Sequence, residues 1–388
     1  MRPGHCLPLL VLACTARPGQ SPFVPASGSP LALESGGSNV ALGDLNGDGH
    51  LDLAVGAGRA CAITVLWGDG TGGFASAPNA SIALGAPPGE MVLADFDRDG
   101  KLDLGIASHD SYAVAVLLGD GRGGFAPAPG SPFAAASGGK PHNHGLAVGD
   151  ANEDGHLDLV TIQSDDGTVA VLLGNGRGGF SPAPAPPFTV GPSPYPPALG
   201  DLDGDGHLDI AVPETGMGRY WREHRSLART ITLLLGDGSG GFRPAPGSPL
   251  TVTAGPYYVA LGDLDGDGAL DLVATHDDAE LVTILLNDGK GRFRPAPQSP
   301  LEIGRRAWEV VIIDANADGK SDLVLGTGDS VTVLLGDGSG GFSPAPGSPL
   351  VVGRGAWRLA VGDLDHDGKL DVVTSNVESS SISVLLGR

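Results

Sequence analysis

The chain of 388 residues is short of cysteine, of aromatic residues and of cations. Of its three cysteines, Cys6 and Cys14 fall within the first sixteen residues, which leaves Cys61 as a lone thiol in the rest. An internal disulfide framework is excluded there, so stability must come from another source. Cys61 itself reads as a small apolar filler in a strand. Lysine and arginine number 23 against 45 aspartates and glutamates, a formal net charge of −22. That balance argues against nucleic acid and against an anionic membrane surface as partners. No apolar run is long enough to cross a bilayer as a helix, no segment holds a helical period, and no nucleophile motif, phosphate loop or zinc signature occurs.

Glycine (64) and proline (32) are abundant, in a chain that is 41% apolar. Without a period this composition would signal disorder. Here it has one. A nine-residue loop, Asp44-Leu45-Asn46-Gly47-Asp48-Gly49-His50-Leu51-Asp52, recurs from Asp95, Asp150, Asp201, Asp263, Asp314 and Asp363, at intervals of 51, 55, 51, 62, 51 and 49 residues. Short apolar runs flank each copy, as at residues 40–42 and 53–55, and a third run follows at 63–66. Next come a Gly/Asp turn, as at 236–242, and a proline-rich segment, as at 244–250.

These runs are too short for helices and are bounded by turn residues, so they read as strands. The proline-rich fourth belongs on an edge, where missing amides matter least. Four strands in roughly 50 residues, repeated seven times, predict an all-β fold, a seven-bladed β-propeller of four-stranded blades. Segment 23–31 resembles the edge segment 342–350, and the last repeat has no fourth strand of its own. The N-terminal strand is therefore expected to close the ring. Removing it would expose the last blade.

The loop carries oxygen at alternate positions, as a hard cation requires. Side chains at positions 1, 3 and 5 are Asp44, Asn46 and Asp48; Asp95, Asp97 and Asp99; Asp150, Asn152 and Asp154; Asp201, Asp203 and Asp205; Asp263, Asp265 and Asp267; Asp314, Asn316 and Asp318; Asp363, Asp365 and Asp367. Position 6 is glycine throughout. Position 7 varies (His50, Lys101, His156, His207, Ala269, Lys320, Lys369), which suits a backbone carbonyl ligand. Position 9 is always aspartate: Asp52, Asp103, Asp158, Asp209, Asp271, Asp322 and Asp371. A plain Asp/Gly turn would not need four oxygen ligands in seven copies. The cofactor expected is Ca²⁺, up to one per blade, with weaker binding at the loops holding Asn46, Asn152 and Asn316. These side chains account for 25 of the 45 acidic residues.

This loop, followed by a strand and Val-Leu-Leu-Gly, resembles the FG-GAP (VCBS) repeat that builds the propeller of integrin α subunits and of many bacterial secreted proteins. The resemblance covers residues 21–388. It implies the propeller and the calcium, and a partner-binding face opposite the calcium loops, but no single function.

Residues 1–16 read as a secretory signal, with Arg2 ahead of an apolar run interrupted by Pro8. Residues 11–14 alternatively suggest a lipoprotein signal, with a lipid anchor at Cys14. The protein is expected outside the cell or on its surface, as a monomer.

Strand direction puts the calcium loops and the Gly/Asp turns on one face. On the opposite face, six residues before each loop, stand Ser38, Gly89, His144, Tyr195, Tyr257, Trp308 and Trp357, beside Glu90, Tyr258, Glu309 and Arg358. The last five of the first set form a candidate ligand arc, with Ser38 and Gly89 leaving two blades open; packing between blades is the alternative. The same face receives His109-Asp110, Asp165-Asp166, His276-Asp277-Asp278, an insertion at 214–225, and His142-Asn143-His144, a weak candidate for a transition metal. The leading expectation is an extracellular binding or adhesion module for a glycan or protein. The alternatives are a polysaccharide lyase or hydrolase, and a calcium-dependent scaffold.

Overall fold

Each acidic loop reverses the chain, so the repeats fold into consecutive antiparallel sheets. A computed structural model describes residues 20–388 apart from 35, 109, 136–142, 185–186 and 216–227. The signal-like segment with Cys14, His109, His142 and most of the insertion lie outside the described residues. Among the described residues there is no α-helix, only a short 3-10 turn at Gly58–Ala60.

The described residues form four five-stranded sheets, one of four strands and one of nine. In the fourth repeat Ala198–Gly200 pairs with Asp209–Glu214, and that strand with Thr230–Gly236. Thr230–Gly236 then carries two short outer segments, Phe242–Pro244 and Leu250–Thr251. The expected single fourth strand is thus split, because the prolines between the segments have no amide to offer a ladder. Among the described residues, the first repeat alone keeps a continuous outer strand, Phe74–Ala83. In the second, fourth, fifth and sixth repeats a serine fills the break. Val116, Leu233, Ile284 and Val333 donate their amides to the hydroxyls of Ser131, Ser248, Ser299 and Ser348 at 2.8–2.9 Å.

The N-terminal segment makes the same contacts with the last repeat. Phe23–Pro25 and Leu31–Ala32 pair with Ser381–Gly387, and Val384 donates its amide to Ser29 Oγ at 2.9 Å. The nine-stranded sheet arises because Leu350–Gly362 begins as the outer segment of the sixth repeat and continues as the inner strand of the seventh.

The core lies between neighbouring sheets. Ile63 and Val65 of the first repeat pack with Leu104 and Ile106 of the second, and Val373, Ile382 and Val384 of the last pack with Leu53 and Val55 of the first. Each such buried side chain stabilises the fold by about 1.5–3 kcal/mol. In several repeats a glycine at the end of the third strand allows close approach to the loop. A Cβ on Gly68, Gly119, Gly174 or Gly336 would stand 2.1–2.2 Å from the carbonyl oxygen at loop position 8. Cys61 is not in a strand: it caps the 3-10 turn with φ 47° and is half-buried.

Deleting residues 21–33 removes buried Phe23 and strips Ser381–Gly387 of its outer partner. The truncated protein should melt lower and aggregate, as read by differential scanning calorimetry and light scattering. A monomer with an unchanged midpoint would contradict this role for the segment.

Candidate functional site

The acidic loop is organised by its own carboxylates before any ion is considered. In all seven copies the position 1 carboxylate accepts the position 6 amide at 2.8–3.0 Å. The position 5 carboxylate accepts the position 7 amide at 2.8–3.0 Å. Position 6 is always a positive-φ glycine, and position 4 is also left-handed in every copy. There Gly47, Gly204 and Gly266 are replaced by Arg98, Glu153, Ala317 and His366, with φ between 57° and 64°. This second constraint is invisible where only residue types are compared.

Position 9 does more than close the loop. One oxygen accepts the position 2 amide at 2.7–3.0 Å. The other accepts the amide at the end of the third strand at 2.7–2.9 Å. All seven of these aspartates are at most 1% exposed. Burial raises their pKa, to about 6 for Asp158, Asp209, Asp271 and Asp322.

The donor set fits a hard cation. Carboxylate oxygens of Asp95, Asp97 and Asp99 lie within 4.8 Å of one another, as do those of Asp201, Asp203 and Asp209; Asp263, Asp265 and Asp271; and Asp363, Asp365 and Asp371. Among the described residues, Asp203 Oδ1 and Asp265 Oδ1 are buried with no hydrogen-bond partner, although both belong to these groups. An orphaned carboxylate oxygen among other carboxylates is the arrangement a bound cation relieves. In the asparagine copies, Asn46, Asn152 and Asn316 turn Oδ1 to the position 5 amide at 2.8–3.1 Å. Asp97 and Asp365 do the same at 3.1 and 3.3 Å. Lys101 and Lys369 each hold their position 5 carboxylate at 2.7 Å.

Several position 7 side chains reach the position 4 residue of the preceding repeat. His156 meets Arg98 at 3.3 Å, His207 pairs with Glu153, and His50 meets His366 at 2.9 Å.

On the opposite face the five candidate arc residues form one continuous stack. Ring centroids are 4.8 Å apart for His144 and Tyr195, 4.7 Å for Tyr195 and Tyr257, 5.2 Å for Tyr257 and Trp308, and 5.3 Å for Trp308 and Trp357. Tyr195 is buried and the other four are half-buried. The rings therefore pack on one another across repeats while keeping part of their surface in solvent. Beside them Arg358 pairs with Glu90 at 2.8 Å, stands 4.0 Å from Glu309, and lies over the Tyr258 ring at 5.5 Å. Glu309 also accepts the Leu359 amide at 2.9 Å. Burial lifts its pKa to about 7, against the opposing pull of Arg358. This network links the second, fifth, sixth and seventh repeats.

Several expectations change. Gly89 does not leave its repeat open, because a Cβ there would stand 2.9 Å from the Ala107 oxygen and 3.2 Å from that of Asn143. Ser38 does face space, lining a cavity of about 670 Å³ with Glu34, Gly58, Ala60 and Glu378. His276 is buried at a strand end, not presented on a connection; Nε2 meets Thr283 Oγ1 at 2.9 Å, and burial lowers its pKa to about 4. Glu214 is likewise buried, accepting the Gly191 amide at 2.7 Å and the hydroxyls of Thr230 and Thr232. Asn143 is buried and bonded to Thr161 at 2.6 Å, so it is spent on structure.

The pattern of the FG-GAP-like repeat matches residues 44–106, 95–161, 150–212, 226–274, 263–325 and 314–374. No curated protein sequence matches the chain. Among solved structures it is similar to BBS1N in complex with ARL6DN, at TM-score 0.63 and 12% identity over 95% of this chain and 98% of that one. An Agrocybe aegerita lectin specific for non-reducing terminal N-acetylglucosamine aligns at TM-score 0.57 and 21% identity, over 89% and 86%. Virginiamycin B lyase from Staphylococcus aureus aligns at TM-score 0.56 and 12% identity, over 92% and 97%. At these identities the likeness concerns the fold.

Two predictions follow from the loop chemistry. With metal chelated, the position 9 carboxyls bind protons more tightly in the folded state, those of Asp158, Asp209, Asp271 and Asp322 at about 6 against 3.8 unfolded. Stability should then rise as pH falls from 7 to 5, the reverse of ordinary acid weakening. A chelated melting midpoint that falls over this range would refute the assignment. Second, Asp209→Ala should destabilise the chelated protein by about 2–4 kcal/mol, since two amides lose their acceptor. Asp205→Ala, which removes an exposed oxygen, should change the chelated protein little; denaturant unfolding of both variants compares them.

Proposed function

The chain belongs to the FG-GAP-like repeat family, and from that premise we propose that it is a secreted, calcium-stabilised β-propeller that binds carbohydrate on the face opposite its acidic loops. In this reading the repeats are seven blades, and the N-terminal segment closes the ring. The pairing of Phe23–Pro25 with Ser381–Gly387 and the shared core of the last and first repeats support closure.

The calcium reading rests on the orphaned oxygens of Asp203 and Asp265 within their acidic groups. Positions 1, 3, 5 and 9 of each loop would supply side-chain oxygens and position 7 its carbonyl. Seven divalent ions would bring the formal charge from −22 to −8. Each site at a hundredfold excess over its Kd adds about 2.7 kcal/mol, in a fold whose described residues hold one free thiol and no disulfide. Arg2 and the apolar run that follows it in the first sixteen residues support secretion.

The ligand reading rests on one observation: five consecutive repeats supply a continuous stack of rings from His144 to Trp357, four of them half-buried. A row of aromatic surfaces beside carboxylates and an arginine is suited to stacking on sugar rings and bonding their hydroxyls. The terminal-sugar specificity of the structurally similar lectin supports this class of ligand.

Glycan-array binding and thermal melting, measured together, test the proposal. Wild type should bind a neutral glycan, and chelation should lower its melting midpoint. Trp357→Ala should weaken binding at least tenfold while shifting melting little. A chelation-insensitive midpoint would remove the calcium reading; a variant that melts lower yet binds as wild type would leave the arc a packing feature.

A further inference from the structure

The acidic loops are connected to one another. The position 2 residue, whose amide is held by the position 9 carboxylate, offers its carbonyl to the next repeat. Gly123 donates to Leu45 at 2.9 Å, Gly178 to Phe96 at 3.2 Å, Gly240 to Ala151 at 3.0 Å and Gly340 to Leu264 at 3.1 Å. These donors sit in the Gly/Asp turn, and the glycine opening that turn donates to its own repeat's position 9 carboxylate. Gly119 reaches Asp103 at 2.8 Å, Gly174 reaches Asp158 at 2.7 Å, Gly236 reaches Asp209 at 2.8 Å and Gly336 reaches Asp322 at 2.7 Å. Carboxylate, peptide, turn and next carboxylate thus form a relay.

The fifth repeat shows the relay maintained by a different atom. It has Asn287 where other repeats have glycine. The Asn287 amide still holds Asp271, at 2.7 Å, and its side-chain Nδ2 donates to Leu202 of the fourth repeat at 2.8 Å. Between the fifth and sixth repeats a second bond reinforces the link. Ser321, the one departure from leucine at position 8, donates to the Asp263 carbonyl at 2.6 Å. The relay therefore runs unbroken from the first repeat to the sixth. It does not extend to the seventh. There the glycine and phenylalanine that flank the turn elsewhere are Gly387 and Phe23, which pair without a turn between them. Among the described residues no turn amide donates to Ala315 or to Leu364. The seventh loop meets the first through His366 and His50, and its Leu364 shares a core cluster with Leu53 and Leu66 of the first repeat, but among the described residues no turn amide joins the two.

Resting on the calcium reading above, we infer that the first six metal loops are thermodynamically coupled to their neighbours and that the seventh, Asp363–Asp371, binds on its own. The coupling is conformational. An ion that draws together one loop's carboxylates fixes its position 2 peptide, which fixes the turn anchored to the next position 9 carboxylate. The ordering entropy of the next site is then partly met in advance, which is positive cooperativity without a change of shape. Linkage makes the effect reciprocal between neighbours, and couplings of this kind run to about 5–150-fold in affinity.

The test counts calcium ions bound to the full chain by native mass spectrometry across free calcium concentrations. Three variants are compared with wild type. Asp203→Asn weakens the fourth loop, Asp365→Asn weakens the seventh, and Asn287→Ala cuts the link between fourth and fifth without touching a ligand. Asp203→Asn should shift the half-filling concentration of the remaining sites upward by about fivefold or more. Asp365→Asn should subtract one ion and leave the others unmoved. Asn287→Ala should keep the full ion count at saturation but flatten the binding curve. If Asp203→Asn and Asp365→Asn behave alike, each subtracting one ion with no other shift, the coupling is overturned while the calcium sites stand. A wild-type chain that takes up no calcium overturns the metal reading itself.

Discussion

The fold depends on one interaction made seven times: a buried aspartate at loop position 9 accepts the amide that enters the loop and the amide that ends the third strand. An ionisable group placed where almost no water reaches it is costly unless its oxygens are bonded. Two backbone amides reduce that penalty and, in return, tie three strands together at one end of each sheet. The residual cost remains visible as a raised pKa, and a cation among the neighbouring carboxylates would remove it. Structural and metal-binding roles therefore fall on the same side chain.

This arrangement also explains the uneven distribution of variation in the loop. Position 9 is aspartate in all seven copies, and both of its oxygens are used. Position 2 must be apolar because it is buried beneath the turn, as Leu202 is with no exposure. Position 7 varies freely, since its side chain projects to the neighbouring repeat, where His207 finds Glu153 and His156 finds Arg98. Position 4 varies although its backbone is left-handed in every copy, a strain of about 1–3 kcal/mol wherever the residue is not glycine.

The opposite end of the sheets follows different chemistry. There the inner strands bring aromatic rings from five repeats into contact, with Arg358 between two glutamates beside them. Buried ion pairs of this type contribute little net stability, and this one joins side chains of the second, sixth and seventh repeats. The aromatic stack has the complementary property of leaving ring surface exposed after packing.

From the sequence alone came the repeat, its strands, the seven acidic loops and the likeness of segment 23–31 to the other outer strands, because each is written as residue type at a regular interval. The same spacing singled out the arc residues but not their contacts. Whether Trp308 meets Trp357 or a neighbouring strand depends on how far adjacent sheets rotate, which no local pattern records. The closed space at Gly89, the burial of His276 and Glu214, and the split of the outer strand are likewise properties of packing between sheets. So is the bond from Asn287 to Leu202, which joins residues 85 positions apart. Local periodicity specifies what each repeat is made of; the non-local contacts between repeats decide which atoms meet, because they are set by geometry summed over all the sheets.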